Sequence, residues 1–296
     1  MFLSVIICTY NREQHIERAL QSLVEQNFDP NNYEIIVVDN NSTDQTPQII
    51  KRFKTRHPHY NIVHSVVKQQ NLSFARNKGI ECAKGTYISY IDDDAIARKD
   101  YIFQIKKYTE LYPHIKAFGG KVLPIYETEK EPEWMSHYIE RIISIVNLGE
   151  KVKKLKKTHP VGCNMIFKKE LFKTIGKFNT ALKLRSDDKY IFFKIREKGY
   201  DILYLPNVVV WHYIDAFRTT LDYVKKISFL NGEGEKYRIN SLQKHRFKTY
   251  FLRLSDYLFK LGASIILWIF FTIKGQSAKG KALFLATWYA LKGFLK

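Results

Sequence analysis

Apolar and polar positions follow two rhythms over the first hundred residues. Two short apolar runs, 2–9 (FLSVIICT) and 33–38 (YEIIVV), carry no period, as in strands buried on both faces. Two more strands are predicted over 62–67 and 86–91, where β-branched and aromatic side chains concentrate. Between the runs the spacing changes to three and four. Ile16, Ala19, Leu20 and Leu23 share one face of a predicted helix over 13–26. A second helix starts near Thr46-Pro47, with proline in its first turn, and a third spans 72–84 with Gly85 as its C′ residue. Strand and helix in alternation predict a parallel α/β sheet, which binds ligands off the carboxyl ends of its strands.

Beyond residue 100 the pattern predicts a helix over 100–111, a strand over 117–125, a helix over 191–198 and a strand pair over 201–210. Residues 127–133 read as a charged loop and 134–148 as a mixed amphipathic stretch. The last fifth of the chain is different. Residues 261–273 (LGASIILWIFFTI) are uncharged between Lys260 and Lys274, and 282–291 (ALFLATWYAL) between Lys281 and Lys292. Each is shorter than the roughly 20 residues of a spanning helix. With Trp268, Trp288 and flanking lysines, residues 243–296 fit interfacial or re-entrant segments on an anionic leaflet. A helical pair packed on the rest of the chain is the alternative.

Charge sharpens that reading. The chain has 296 residues, 45% of them hydrophobic, so a sizeable core is expected and disorder is excluded. Its formal charge is +19, yet residues 236–296 alone carry 12 Lys and Arg against one acid, Asp256. A nucleic-acid- or anionic-polymer-binding protein would interleave basic and aromatic residues over a folded face. Here the charge lies beside apolar runs, which favours a membrane surface, and no nucleic-acid partner is expected. Residues 151–157 (KVKKLKK) hold five lysines and read as a solvated loop or a phosphate contact. Cys8, Cys82 and Cys163 have no metal-ligand spacing and suit a reducing, cytoplasmic location. Residues 1–8 lack the basic flank and cleavage site of a signal peptide.

The chemistry gathers at strand exits: Thr9 to Arg12, Asp39, and Asp92-Asp93-Asp94. Adjacent carboxylates repel, and a cation relieves that cost. Oxygen ligands at i and i+2 suit Mg²⁺ or Mn²⁺, with a substrate diphosphate completing the shell. The same run also fits a solvated acidic turn or a helix cap, and Asp39 fits an Asx-turn.

Four segments together carry a resemblance. Residues 4–12 (SVIICTYNR), 37–44 (VVDNNSTD), 75–79 (ARNKG) and Asp92-Asp93-Asp94 resemble, in order and spacing, family 2 glycosyltransferases. That resemblance implies a GT-A fold, a Rossmann-like mixed sheet flanked by helices, and a nucleotide-diphosphate sugar as donor, UDP-linked in the usual case. It implies that Thr9, Tyr10, Asn11, Arg12, Asn41 and Asp93 line the nucleotide-sugar site and that Asp39 reads the base. Arg76 would sit by the diphosphate, Asp92 would contact ribose or metal, and Asp94 would bind Mn²⁺ or Mg²⁺. Asn40 departs from the Asp found there in many members.

Further along, 159–168 (HPVGCNMIFK) and 175–178 (IGKF) are similar to the family's acceptor platform, with Gly162 and Asn164 toward the acceptor. Residues 185–190 (RSDDKY), followed by Gly199-Tyr200, resemble its acidic-pair motif, with Asp187 in place of Glu. The resemblance makes Asp188 the catalytic base, with Asp187 as its alternate, and His212 a third metal ligand. A carboxylate pair at a helix start is also favoured by the helix dipole alone.

The resulting expectation is a catalytic domain over 1–215, with a nucleotide-sugar half (1–116) and an acceptor half (117–215), and a basic, apolar helical tail over 216–296. The implied activity is inverting transfer of a hexosyl or N-acetylhexosaminyl group to a saccharide or lipid-linked acceptor in cell-surface polysaccharide synthesis. The implied location is the inner face of the cell membrane. A relic that binds a nucleotide sugar without turnover would not need Asp92, Asp94, Asp188 and His212 together.

Overall fold

The computed structural model describes residues 1–181, 187–240 and 245–296. Arg185 and Ser186 of the acidic-pair motif, and residues 243 and 244 of the expected membrane segment, lie outside the described residues. The chain divides into two compact units: Met1–Pro124, Val146–Thr180 and Asp188–Tyr213 form the first, and Ile125–Ile145 and Ile214–Lys296, with Ala181 and Asp187, form the second.

Among the described residues, the first unit is built on nine strands. In chain order these are β1 (Leu3–Thr9), β2 (Tyr33–Asp39), β3 (Ile62–Val66), β4 (Tyr87–Asp92), β5 (Ala95–Ala97), β6 (Ala117–Tyr126), β7 (Lys153–Lys154), β8 (Met165–Lys168) and β9 (Ile202–Ile214). They run in the order β3-β2-β1-β4-β8-β6-β9-β5, with β7 on β9. The sequence predicted the four parallel strands, and β1 pairs parallel with both β2 and β4. Its apolar run is continuous because Val5, Ile6 and Ile7 have no exposed face. From β4 onward the pairings β4–β8, β8–β6 and β9–β5 are antiparallel, so the sheet is mixed. The expected strand pair over 201–210 is one strand, β9, which runs through Pro206.

Helices α1 (Ile16–Val24), α2 (Thr46–Arg56), α3 (Leu72–Cys82), α4 (Tyr101–Leu111), α5 (Leu171–Ile175) and α6 (Asp187–Glu197) connect the strands. α1 buries Ile16, Ala19, Leu20 and Leu23, the face read from the sequence. α3 ends at Ala83 in extended backbone, and Gly85 is not its C′ residue. Gly85 is glycine because a Cβ there would stand 2.6 Å from the Ser4 amide nitrogen.

The second unit packs α7 (Leu221–Asn240), α8 (Arg246–Ile273) and α9 (Ser277–Leu295) with residues 125–145. Its core includes Trp134, Met135, Ile139, Ile214, Val224 and Ala282, and the Trp134 indole donates to the Thr219 carbonyl at 2.9 Å. The expected boundary at 215 therefore leaves out Ile125–Ile145, which belongs with the helices. α8 also differs from expectation. It is one 28-residue helix, about 42 Å at 1.5 Å per residue, long and apolar enough to cross a membrane by length and composition.

Candidate active site at the strand exits

β1, β2 and β4 end level. Thr9 lies across from Asp39, and Cys8 from Asp92. The loops that leave β1 and β2 are tied into one surface. The Asn11 amide N–H donates to Ser42 Oγ at 3.0 Å, and Asn11 Oδ1 accepts from the Thr43 N–H at 2.8 Å. The Arg12 N–H donates to Thr46 Oγ1 at 2.8 Å, and the Gln45 N–H donates to Glu13. Asn11 and Asn41 both hold left-handed backbone, φ 52° and 67°, which asparagine tolerates better than most residues. Thr9 is buried and Tyr10 exposed. Asp39 is buried, and one of its oxygens accepts the Ser42 N–H at 2.9 Å, the Asx-turn that its sequence context also fits. That bond engages Oδ1 alone.

Asn40 explains its own departure from the family pattern. Its amide nitrogen donates to the carbonyls of Val67 and Gln69, and its oxygen accepts the Asn71 N–H. A carboxylate has no N–H to give those two carbonyls. Asn71 in turn caps α3 through the Ser73 N–H at 2.8 Å. Sequence reasoning passed over Asn71; its only local signal is an asparagine immediately before a helical period.

The acidic run is held just past β4. Asp93 and Asp94 are each 7% exposed. Strand β9 brings His212 to them: β5 pairs with β9 so that Ala95 faces His212, and the Tyr213 N–H donates to the Asp94 carbonyl. His212 Nε2 lies 3.1 Å from Asp94 Oδ1. Arg12 leans over the cluster, 3.4 Å from Asp93 and 3.9 Å from Asp94. Burial, with the neighbouring Asp94 charge, pushes the Asp93 carboxyl up to about 7 against the opposing pull of Arg12.

Asp92, Asp94 and His212 each offer a ligand atom, all within 4.8 Å of one another. Small divalent cations bind oxygen at about 2.0–2.1 Å, so atoms sharing one ion lie at most about 4.2 Å apart. A contraction of under about 1 Å gathers the three. Two carboxylates and an imidazole fit Mn²⁺.

Arg76 is 4% exposed, its guanidinium 5.3 Å from the centre of the Phe178 ring and 5.9 Å from that of Tyr90. A Cβ on Gly162 would overlap an Arg76 terminal nitrogen. The space where a Gly162 side chain would stand is taken by Arg76. The reading of Asn164 is corrected. It is fully buried; its amide donates to the Lys121 and Val208 carbonyls at 3.0 Å and accepts from the Tyr101 hydroxyl. It is a clamp joining strands, out of an acceptor's reach. Cys163 is no nucleophile, since burial with Asp92 and Asp94 nearby holds its thiol well above the ordinary range.

Asp187 and Asp188 open α6, whose Ile191, Phe192 and Ile195 are fully buried. Asp187 is buried and Asp188 half-buried, with Asp188 Oδ1 accepting the Lys189 N–H at 2.6 Å.

Level strand ends, a zipped pair of loops and an Asp-x-Asp cluster with a histidine together make the candidate site. The glycosyl transferase family 2 profile matches residues 4–176, more than half of the chain, and the chain belongs to that family. It is similar to glucosyl-dolichyl phosphate glucuronosyltransferase of Haloferax volcanii, 25% identical over 248 residues that span 80% of this chain and 77% of that protein. Among solved structures, mannosyltransferase PcManGT from Pyrobaculum calidifontis, in complex with GDP-Man and Mn2+, aligns with a TM-score of 0.62 at 19% identity. The alignment covers 96% of this chain and 85% of that one. S. aureus TarS 1-349 in complex with UDP aligns with a TM-score of 0.56 at 18% identity, over 99% of this chain and 89% of that one. The fold is GT-A and the chain is a glycosyltransferase.

Proposed function

We propose that this chain transfers a sugar, with inversion, from a nucleotide-diphosphate sugar, UDP-linked, to a hydroxyl of a lipid-linked saccharide. The observation that carries the reading is the gathering of Asp92, Asp94 and His212 beside the level ends of β1 and β2. Asp39 accepts a hydrogen bond from the base through the oxygen that Ser42 leaves open. Thr9, Tyr10, Asn11, Arg12 and Asn41 line the nucleotide pocket, with the loop zipper fixing their backbone. Arg76, set rigidly between two rings, supplies fixed positive charge toward the diphosphate.

Asp92, Asp94 and His212 would hold Mn²⁺ or Mg²⁺, which when bound neutralises charge on a leaving nucleoside diphosphate. Asp188 takes the proton of the acceptor hydroxyl. The acceptor oxygen bonds to the anomeric carbon as the bond to the diphosphate breaks on the opposite face, its electron pair leaving with the phosphate. General-base help of this kind gives about 10²–10⁴-fold. Asp188 suits the role better than Asp187 because it is the more accessible of the pair.

The lipid-linked acceptor is supported by the dolichyl phosphate in the Haloferax relative's name and by α8, of which only 6% of the most apolar stretch is buried in the protein. A cytoplasmic enzyme lying on the inner face of the membrane, α8 against an anionic leaflet, accounts for the basic C-terminal charge.

The test is release of free nucleotide from a panel of nucleotide sugars with Mn²⁺. One or two UDP-sugars should turn over. Asp94→Ala should lose that turnover by about 10²-fold or more and Asp188→Asn should lose transfer by a similar factor while still binding donor. Undiminished turnover in Asp94→Ala would overturn the metal assignment.

A further inference from the structure

Arg76 stands against two rings that are fixed in different ways. Tyr90 belongs to β4, so the sheet holds its backbone, and its hydroxyl donates to the Arg76 carbonyl at 3.0 Å. Phe178 belongs to no helix or strand. It is nonetheless 3% exposed, and its ring meets that of Tyr90 edge-on, with centroids 5.5 Å apart. The N–H and carbonyl of a buried residue outside any ladder must find partners elsewhere.

Asn77 supplies both. Its side-chain nitrogen donates to the Phe178 carbonyl at 2.8 Å, and its side-chain oxygen accepts the Phe178 N–H at 2.9 Å. One amide thus takes the place of a strand partner, exchanging two bonds with a single residue. Ionised aspartate, of the same shape, can only accept. Arg76 and Asn77 are consecutive on α3, and neighbours in a helix point about 100° apart. Asn77 therefore bears on Arg76 through Phe178, whose ring centre lies 5.3 Å from the guanidinium. A second tie runs beside the first: Asn71, at the start of the same helix, donates to the Thr180 carbonyl at 3.2 Å.

A guanidinium held against two rings has already given up much of its rotamer freedom on folding. Less remains to be lost when an anion binds. We propose that Asn77 is a positioning residue for diphosphate binding: by fixing Phe178 it presets Arg76 toward the leaving group. The inference rests on the proposed place of Arg76 at the diphosphate and adds to it the residue that sets the arginine.

The test compares UDP with uridine, each titrated with Mn²⁺ into the full-length protein. Arg76→Met should weaken UDP by about tenfold or more and leave uridine within about twofold. Asn77→Ala should weaken UDP by about threefold to tenfold, again sparing uridine. In the double variant the two losses should not add, because one residue acts through the other. Asn77→Asp keeps the shape and the bond to the Phe178 N–H. It should also weaken UDP and spare uridine, and it carries the comparison if Asn77→Ala does not fold. Glu81→Gln releases Lys177, which Glu81 holds at 2.8 Å on the same helix, and leaves the Phe178 bonds in place. It should keep UDP binding within about twofold. Equal losses of UDP and uridine in Asn77→Ala, additive losses in the double variant, or a matching loss in Glu81→Gln would overturn the inference. If Arg76→Met itself spares UDP, the reading of Arg76 at the diphosphate fails, and this inference with it. A loss in Arg76→Met with none in Asn77→Ala overturns this inference alone.

Discussion

Two apolar runs near the C-terminus read alike as sequence and end in opposite surroundings. α9 buries Gly280, Ala282, Leu283, Ala286, Leu291, Gly293 and Phe294. α8 buries Ser264 alone and leaves Phe259, Ile266, Ile269 and Ile273 to the outside. Hydrophobicity does not separate them; glycine does. A Cβ on Gly293 would overlap the Phe229 carbonyl oxygen, and one on Gly232 of α7 would overlap that of Ala290. The backbones of α7 and α9 therefore touch. Gly262, in the middle of α8, has nothing within 4 Å of where a Cβ would stand. α8 is held through side chains: Tyr250 and Tyr257 pack on Phe294 of α9, Trp268 packs on Phe284, and ionic contacts tie it to α7. Glu235 of α7 is fully buried and accepts from Arg238 at 3.0 Å and from Arg253 of α8 at 2.7 Å. At the far end Trp268 seats on Gly280.

Four variants would break or sharpen this contrast. Glu235→Ala has the largest expected effect, because it leaves two arginines without their buried counter-ion. The cost is toward the lower end of about 3–5 kcal/mol, since Arg253 is partly exposed. Chemical denaturation reads it, and an unchanged midpoint would mean that α8 is held elsewhere. Gly293→Leu should follow, at about 1–3 kcal/mol for forcing two backbones apart. Gly262→Ala in α8 should go the other way, gaining about 0.5–1 kcal/mol of helix stability because there is space to fill. Ile266→Lys with Ile269→Lys should leave the midpoint within about 0.5 kcal/mol. The same pair should cut sedimentation with anionic vesicles by more than about tenfold, since lysine is poorly accommodated in an apolar layer. Equal sedimentation of both proteins would remove the membrane role of α8.

The parts legible in the sequence were those written locally. Continuous apolar runs marked β1 and β2 because both faces of those strands are covered. Asp39 and Asp92 to Asp94 stood out because a strand's carboxyl end is visible in its own pattern. The meeting of His212 with Asp94 was implied only by family resemblance, because an antiparallel pairing of β5 with β9 makes it across more than a hundred residues. Gly162 and Asn164 looked like ligand contacts because nothing local reveals that Arg76 occupies the space beside one and that three scaffold groups engage the other. α8 was cut short at Lys260, whose charge seemed to end the apolar run. In the helix Lys260 pairs with Asp256 one turn back at 2.8 Å, and the helix continues through it.

The amide of Asn40 has a consequence for acidity. Within the donor-side loops it holds the Val67–Gln69 connection through bonds that neither gain nor lose a proton. An aspartate in that place would have put a second carboxylate directly after Asp39. With an amide there, the hold on the Val67–Gln69 connection beside Asp39 does not change from acid to alkaline solution. At the strand exits it is the Asp93 carboxyl, pushed up to about 7 by burial, that takes up and releases a proton near neutral pH.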